Sequence, residues 1–100
     1  MRAVAKLAKA EASVGVIDAP EPEAGPGEAL IRVSAAGICG TDLAIYDWAP
    51  RMQARVAPPR ILGHEATGIV EALGTGVTHI KVGDRVSLES HIFCGECRFC

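Results

Sequence analysis

Gly63-His64-Glu65-Ala66-Thr67-Gly68-Ile69-Val70-Glu71-Ala72-Leu73-Gly74-Thr75-Gly76 reads as a bend, a strand and a turn, with two metal-capable side chains set at the strand's mouth. Neighbouring residues in a regular strand point to opposite faces. His64 and Glu65 can therefore approach one ion only if the backbone turns before the strand begins, and Gly63 supplies the residue that permits it. On either side the pattern is the same, short apolar runs broken by Gly and Pro. Ala3 to Leu7, Val14 to Ile17 and Ala29 to Val33 have strand character, and Val82 to Val86 reads as a turn into a further strand in which Val86 and Leu88 alternate. Ala8 to Ala12 has helix-forming composition but is too short to hold as a helix, so a turn is expected there. The stretch 19–27, with Pro20, Pro22, Gly25, Pro26 and Gly27, is loop. Thr41 is expected as the N-cap of one or two helical turns in which Leu43 and Tyr46 share a face, with Tyr46 packed in the core. Pro50 and Pro58-Pro59 are expected to exclude regular structure nearby. The sum is a mostly β chain, a small barrel or sandwich with short helical turns.

The totals narrow the partners. A net charge of −2 with no basic cluster argues against nucleic acid and against an anionic membrane surface. No apolar run approaches the roughly 20 residues of a membrane helix. The N-terminal residues lack a secretory h-region. A cytoplasmic protein with reduced cysteines is expected.

Two groups of residues carry metal chemistry. Cys94, Cys97 and Cys100 form a CxxCxxC. Thiolates at this spacing can close on one ion in a tight loop, and a structural zinc site takes four such ligands. The fourth must come from elsewhere. An iron–sulfur cluster and a metal-free set of cysteines are the alternatives. Because the chain stops on Cys100, inside this motif, residues 1–100 are expected to be a segment of a longer polypeptide. The second group is dispersed: Cys39, in the bend Gly37-Ile38-Cys39-Gly40, with His64 and Glu65. A thiolate, an imidazole and a carboxylate would give the three protein ligands of a catalytic zinc site, or Glu65 could stand just outside the ligand shell.

Gly63-His64-Glu65 with Gly68, Gly74 and Val77 resembles the zinc signature of the medium-chain, zinc-dependent alcohol dehydrogenase family at every fixed position, a signature that takes Gly or Ala at 74 and a small or β-branched residue at 77. Cys39-Gly40-Thr41-Asp42 and Gly83-Asp84-Arg85-Val86 are similar to two further elements of that family, and the terminal cysteines look like its structural-zinc lobe. The segments Ile38 to Trp48 and Ser90 to Cys94, with Met1-Arg2-Ala3, are most similar to its L-threonine 3-dehydrogenase branch. The resemblance implies a GroES-like barrel, the N-terminal segment of a catalytic domain. No GxGxxG occurs in these 100 residues, so the NAD-binding Rossmann domain would lie outside them. It further implies a catalytic zinc held by Cys39 and His64, with Glu65 as third ligand or close neighbour. A structural zinc would be held by Cys94, Cys97, Cys100 and a later cysteine.

The implied reaction transfers hydride from the secondary alcohol of L-threonine to NAD, giving 2-amino-3-oxobutanoate, in a homotetramer. Thr41 would accept the hydroxyl proton, and His91 would stand near the substrate. Where many members carry a histidine that continues the proton relay, this chain has Ala44. A polyol or butanediol dehydrogenase is the nearest alternative within the family. A metal-binding module without catalysis, and a zinc-free relative of quinone-reductase type, are the alternatives outside it.

Overall fold

The computed structural model describes residues 1–91, 94 and 96–99. Six strands and two short helices follow in the order β1 (Arg2–Lys6), β2 (Val14–Asp18), β3 (Ala29–Ala36), α1 (Gly40–Tyr46), α2 (Pro50–Gln53), β4 (Arg60–Ile61), β5 (Ala66–Leu73) and β6 (Arg85–Ser87). The strands form two three-stranded sheets, β2-β1-β4 and β3-β5-β6, in which every pairing is antiparallel. The mostly β expectation holds, with the described residues arranged as two sheets.

The first sheet begins with a hairpin whose register runs from Arg2 opposite Asp18 to Lys6 opposite Val14. The chain between its strands turns as expected, closed by Leu7 N–H donating to Ser13 O at 2.8 Å. In the second sheet the β3–β5 ladder slips between Leu30 and Ile31 and again between Val33 and Ala35. Such bulges bend a strand and re-aim its end. The ladder runs out at Ala36 opposite Ala66, so the segments 37–39 and 63–65 leave the sheet side by side. Gly63 has φ +94, the bend that the sequence required before β5.

Three expectations are corrected at the helices. The N-cap of α1 is Cys39, with extended backbone, and Thr41 lies inside the first turn. Asp42 reaches back to accept from Cys39 N–H at 3.0 Å, which makes position 39 the start of the helix. Pro50 begins α2 instead of forbidding it. At the first helical position the missing N–H is one that has no intrahelical partner anyway, and the fixed φ suits the helix. Tyr46, expected in the core, is 44% exposed.

The core beside α1 consists of Ala44, Ile45 and Met52, with Ala49, Val56 and Leu62 packed against them. Leu62 directly precedes the Gly63 bend, so this cluster seats both α1 and the approach to His64. Among the described residues no helix is long and apolar enough to cross a membrane.

Lys6 is fully buried, a placement that its β-strand pattern did not announce. Its amine donates to Ala10 O and, at 2.9 Å, to Tyr46 O, and it lies 5.3 Å from the centre of the Trp48 ring. Lysine thus ties the first hairpin's turn to the end of α1. Trp48 itself has φ +53, a left-handed conformation after the helix C-cap. Lys6→Met keeps the stem but strips the donor from two partly buried hydrogen bonds, at an expected cost of about 1–3 kcal/mol. Urea denaturation should show a lower midpoint at unchanged slope, whereas Lys9→Met, on the exposed turn, should leave the midpoint where it is.

Candidate metal centre

The end of β3, the cap of α1 and the bend before β5 bring three donors together. Cys39 Sγ, a His64 ring nitrogen and a Glu65 carboxylate oxygen lie within 4.8 Å of one another. The tightest approach is Cys39 Sγ to His64 Nε2, at 3.1 Å. Cys39 and His64 are partly buried and Glu65 is exposed, so the cluster opens to solvent on one side. The thiol also accepts from Thr41 N–H at 3.3 Å, so the helix cap fixes the sulfur's direction.

Asp42 was not singled out in the sequence as part of this cluster. It is buried, and its Oδ2 caps the helix through Cys39 N–H. Its Oδ1 is fully buried without a hydrogen-bond partner and faces His64 Nδ1 at 4.0 Å. That oxygen lies behind the ring, beyond hydrogen-bond distance, where its charge favours a proton on Nδ1 and leaves the Nε2 lone pair toward Cys39. A ring nitrogen oriented by a carboxylate on its other side is the usual arrangement of a metal-binding histidine. The signals in the sequence were its place in the Cys39-Gly40-Thr41-Asp42 element and the three-residue spacing from Cys39, which also describes a capping carboxylate.

This donor set fits a zinc-type ion. Thiolate and imidazole suit a borderline-soft cation, and three protein donors with an open side leave room for an exchangeable ligand. The orphaned Asp42 oxygen supports the fit, because a cation on Nε2 makes the Nδ1 proton a stronger donor toward it.

Thr41 meets the cluster through its backbone N–H on Cys39 Sγ. It is exposed on the first turn of α1. Ala44 is packed in the core cluster and carries no group that could relay a proton. His91 is exposed and its ring is hydrogen-bonded to Glu89. That side-chain bond, followed by the one from the His91 backbone, holds the Glu89 carboxyl below its ordinary value. In the cysteine lobe, Cys97 N–H donates to Cys94 Sγ at 3.4 Å. Cys100 lies outside the described residues.

Residues 25–100 match the model of the alcohol dehydrogenase GroES-like domain. The chain belongs to that family. An L-threonine 3-dehydrogenase of Pyrococcus horikoshii is 55% identical over 84 residues, which are 84% of this chain and 24% of that protein. One of Streptomyces avermitilis is 51% identical over all 100 residues and 29% of its own length. Among solved structures, the alcohol dehydrogenase TADH from Thermus sp. ATN1 superposes with a TM-score of 0.84 at 42% identity, over 100% of this chain and 28% of that one. A cobalt- and zinc-bound thermostable alcohol dehydrogenase from Pyrobaculum aerophilum gives 0.85 at 38% identity, over 100% of this chain and 29% of its own. The chain therefore spans about a quarter of the length of these relatives and matches the GroES-like part of a zinc alcohol dehydrogenase.

Proposed function

We propose that this chain is the N-terminal catalytic segment of a zinc- and NAD-dependent dehydrogenase that oxidises the secondary alcohol of L-threonine to 2-amino-3-oxobutanoate. The observation that carries the reading is the convergence of Cys39, His64 and Glu65 within 4.8 Å. The L-threonine 3-dehydrogenases at 46–55% identity support the substrate. A solved relative complexed with NADH, at 32% identity, supports the cofactor. When bound, zinc supplies Lewis acidity toward a substrate hydroxyl.

The chain's own residues then have separate duties. Cys39 and His64 hold the ion, and Asp42 orients the imidazole. Glu65 serves as third ligand or exchanges with one. Thr41, on the exposed first turn, accepts the hydroxyl proton. With Ala44 buried in the core, the proton passes from Thr41 to water instead of through a side chain one turn on. His91 stands near the substrate's polar end. Cys94, Cys97 and Cys100, with a later cysteine, hold a structural zinc. The nicotinamide platform belongs to a nucleotide-binding domain beyond these residues.

Full-length protein assayed with NAD should turn over L-threonine with a higher kcat/KM than sorbitol or 2,3-butanediol. A preference for 2,3-butanediol would move the assignment to the butanediol branch. The Bacillus subtilis 2R,3R-butanediol dehydrogenase resembles this chain with a TM-score of 0.71 at 31% identity, over 86% of this chain and 26% of that one. No turnover of any alcohol by zinc-loaded protein would leave a metal-binding module. Asp42→Asn keeps an oxygen for the helix cap and removes the charge behind His64. It should weaken zinc binding about 10–100-fold, the usual effect of losing such a partner, with little change in thermal midpoint. Competition with a chromophoric chelator measures the affinity.

A further inference from the structure

The ladder between β3 and β5 extends one bond past its last pair: Gly37 N–H donates to Glu65 O at 2.7 Å. Gly37 and Glu65 therefore oppose one another just beyond Ala36 and Ala66, and opposed residues of an antiparallel pair project to the same face. On that face the glycine offers only backbone, and the Glu65 side chain lies across it. A Cβ built on Gly37 would stand 3.3 Å from Glu65 Oε2 and 3.6 Å from Glu65 Cβ. Gly37 has no left-handed backbone that would itself require glycine, whereas nearby Gly63 does. The missing side chain is needed for the space it leaves to the carboxylate.

We propose that Gly37 is a positioning residue: its bare face is the seat on which the Glu65 carboxylate is held within reach of Cys39 and His64. The inference rests on the metal-centre reading above and adds to it a determinant of carboxylate placement. A methyl group at 37 gives no backbone strain, and its tightest contact is with the far end of a flexible side chain. The carboxylate must therefore shift by a few tenths of an ångström from its seat while the strand stays in place.

The test is a double-mutant cycle in full-length protein with Co²⁺ as the probe, read from the dissociation constant and the thiolate-to-cobalt absorption band. Gly37→Ala should weaken binding about tenfold, as loss of an orienting partner does, and shift the band. In a Glu65→Ala background the same substitution should change neither. Equal losses in both backgrounds, or no loss in the parent, overturns the proposal. Should Gly37→Ala fail to fold, the double variant lacks the group that is crowded and must recover the fold; if it also fails, the proposal is wrong. Cys39→Ser, in protein whose terminal cysteine lobe is already filled with zinc, separates the two readings. If it leaves cobalt bound with its thiolate band unchanged, the metal-centre assignment itself has failed, and the proposal with it.

Discussion

Cys39→Ser is expected to empty the metal centre of the full-length protein and lower kcat/KM for L-threonine by more than about a hundredfold, while the fold survives. The loss should exceed the 10–100-fold seen when only an outer partner of a metal ligand is removed, because here the ligand itself goes. Survival of the fold follows from the same residue's second duty. Cys39 caps α1 by accepting from Thr41 N–H at 3.3 Å, and serine is among the preferred N-cap residues. Its hydroxyl can take over that bond but is a poor replacement for a thiolate on zinc. Far-ultraviolet dichroism and the thermal midpoint should therefore change little, while metal content and turnover fall together. Retention of most of the activity would mean that the reaction does not depend on this cluster.

Gly74→Ala is expected to have the largest effect on folding, although the family signature admits Ala at this position, because in this chain the glycine lies against backbone. A Cβ at Gly74 would overlap the Gly25 carbonyl oxygen and stand 2.6 Å from the Gly25 carbonyl carbon and 3.2 Å from Glu28 O. All three atoms are backbone, and the turn that carries them is tied in place. Gly74 N–H donates to Glu28 O at 2.8 Å, Gly27 N–H to Thr75 O at 2.9 Å, and Gly25 N–H to Glu28 Oε2 at 2.9 Å. Nothing there can rotate away, so the cost should reach about 4 kcal/mol or more, the exceptional end of the range for single substitutions. Against a total stability of about 5–15 kcal/mol, much of the protein would be unfolded or insoluble. Gly76 in the same turn is the control. It has φ +86 and open space around it, so Gly76→Ala should cost only about 1–2 kcal/mol of left-handed strain. Chemical denaturation of both variants decides the matter, and equal costs would refute the close-approach argument.

These two residues show where the sequence was legible and where it was not. The strands could be read because alternation and Gly/Pro punctuation are local signals, and β1, β2, β3 and β5 fall where those signals put them. The bend at Gly63 could be read because two adjacent ligand-type side chains cannot share a face of a straight strand. Gly68 and Gly74 could be matched to a zinc signature but not explained by it. A Cβ on Gly68 would overlap Arg32 O, and one on Gly74 would overlap the Gly25 carbonyl oxygen. Both glycines accommodate backbone from distant parts of the chain and hold no metal. The same limit hid Asp42 and Lys6. The orphaned Asp42 oxygen has meaning only beside His64, 22 positions on, and the burial of Lys6 depends on a carbonyl at Tyr46, 40 positions on. Such contacts leave no periodicity in the sequence. Cys39 was legible as a ligand candidate but not as a helix cap, because cysteine is not a usual N-cap residue and Thr41 is.

Diffraction from crystals of the zinc-loaded full-length protein, recorded on both sides of the zinc absorption edge, tests the metal centre most directly. An anomalous peak about 2.3 Å from Cys39 Sγ and about 2.1 Å from His64 Nε2 is the predicted result. A fully zinc-loaded protein whose peaks all lie elsewhere, with the Cys39 thiol still hydrogen-bonded to His64, would contradict it.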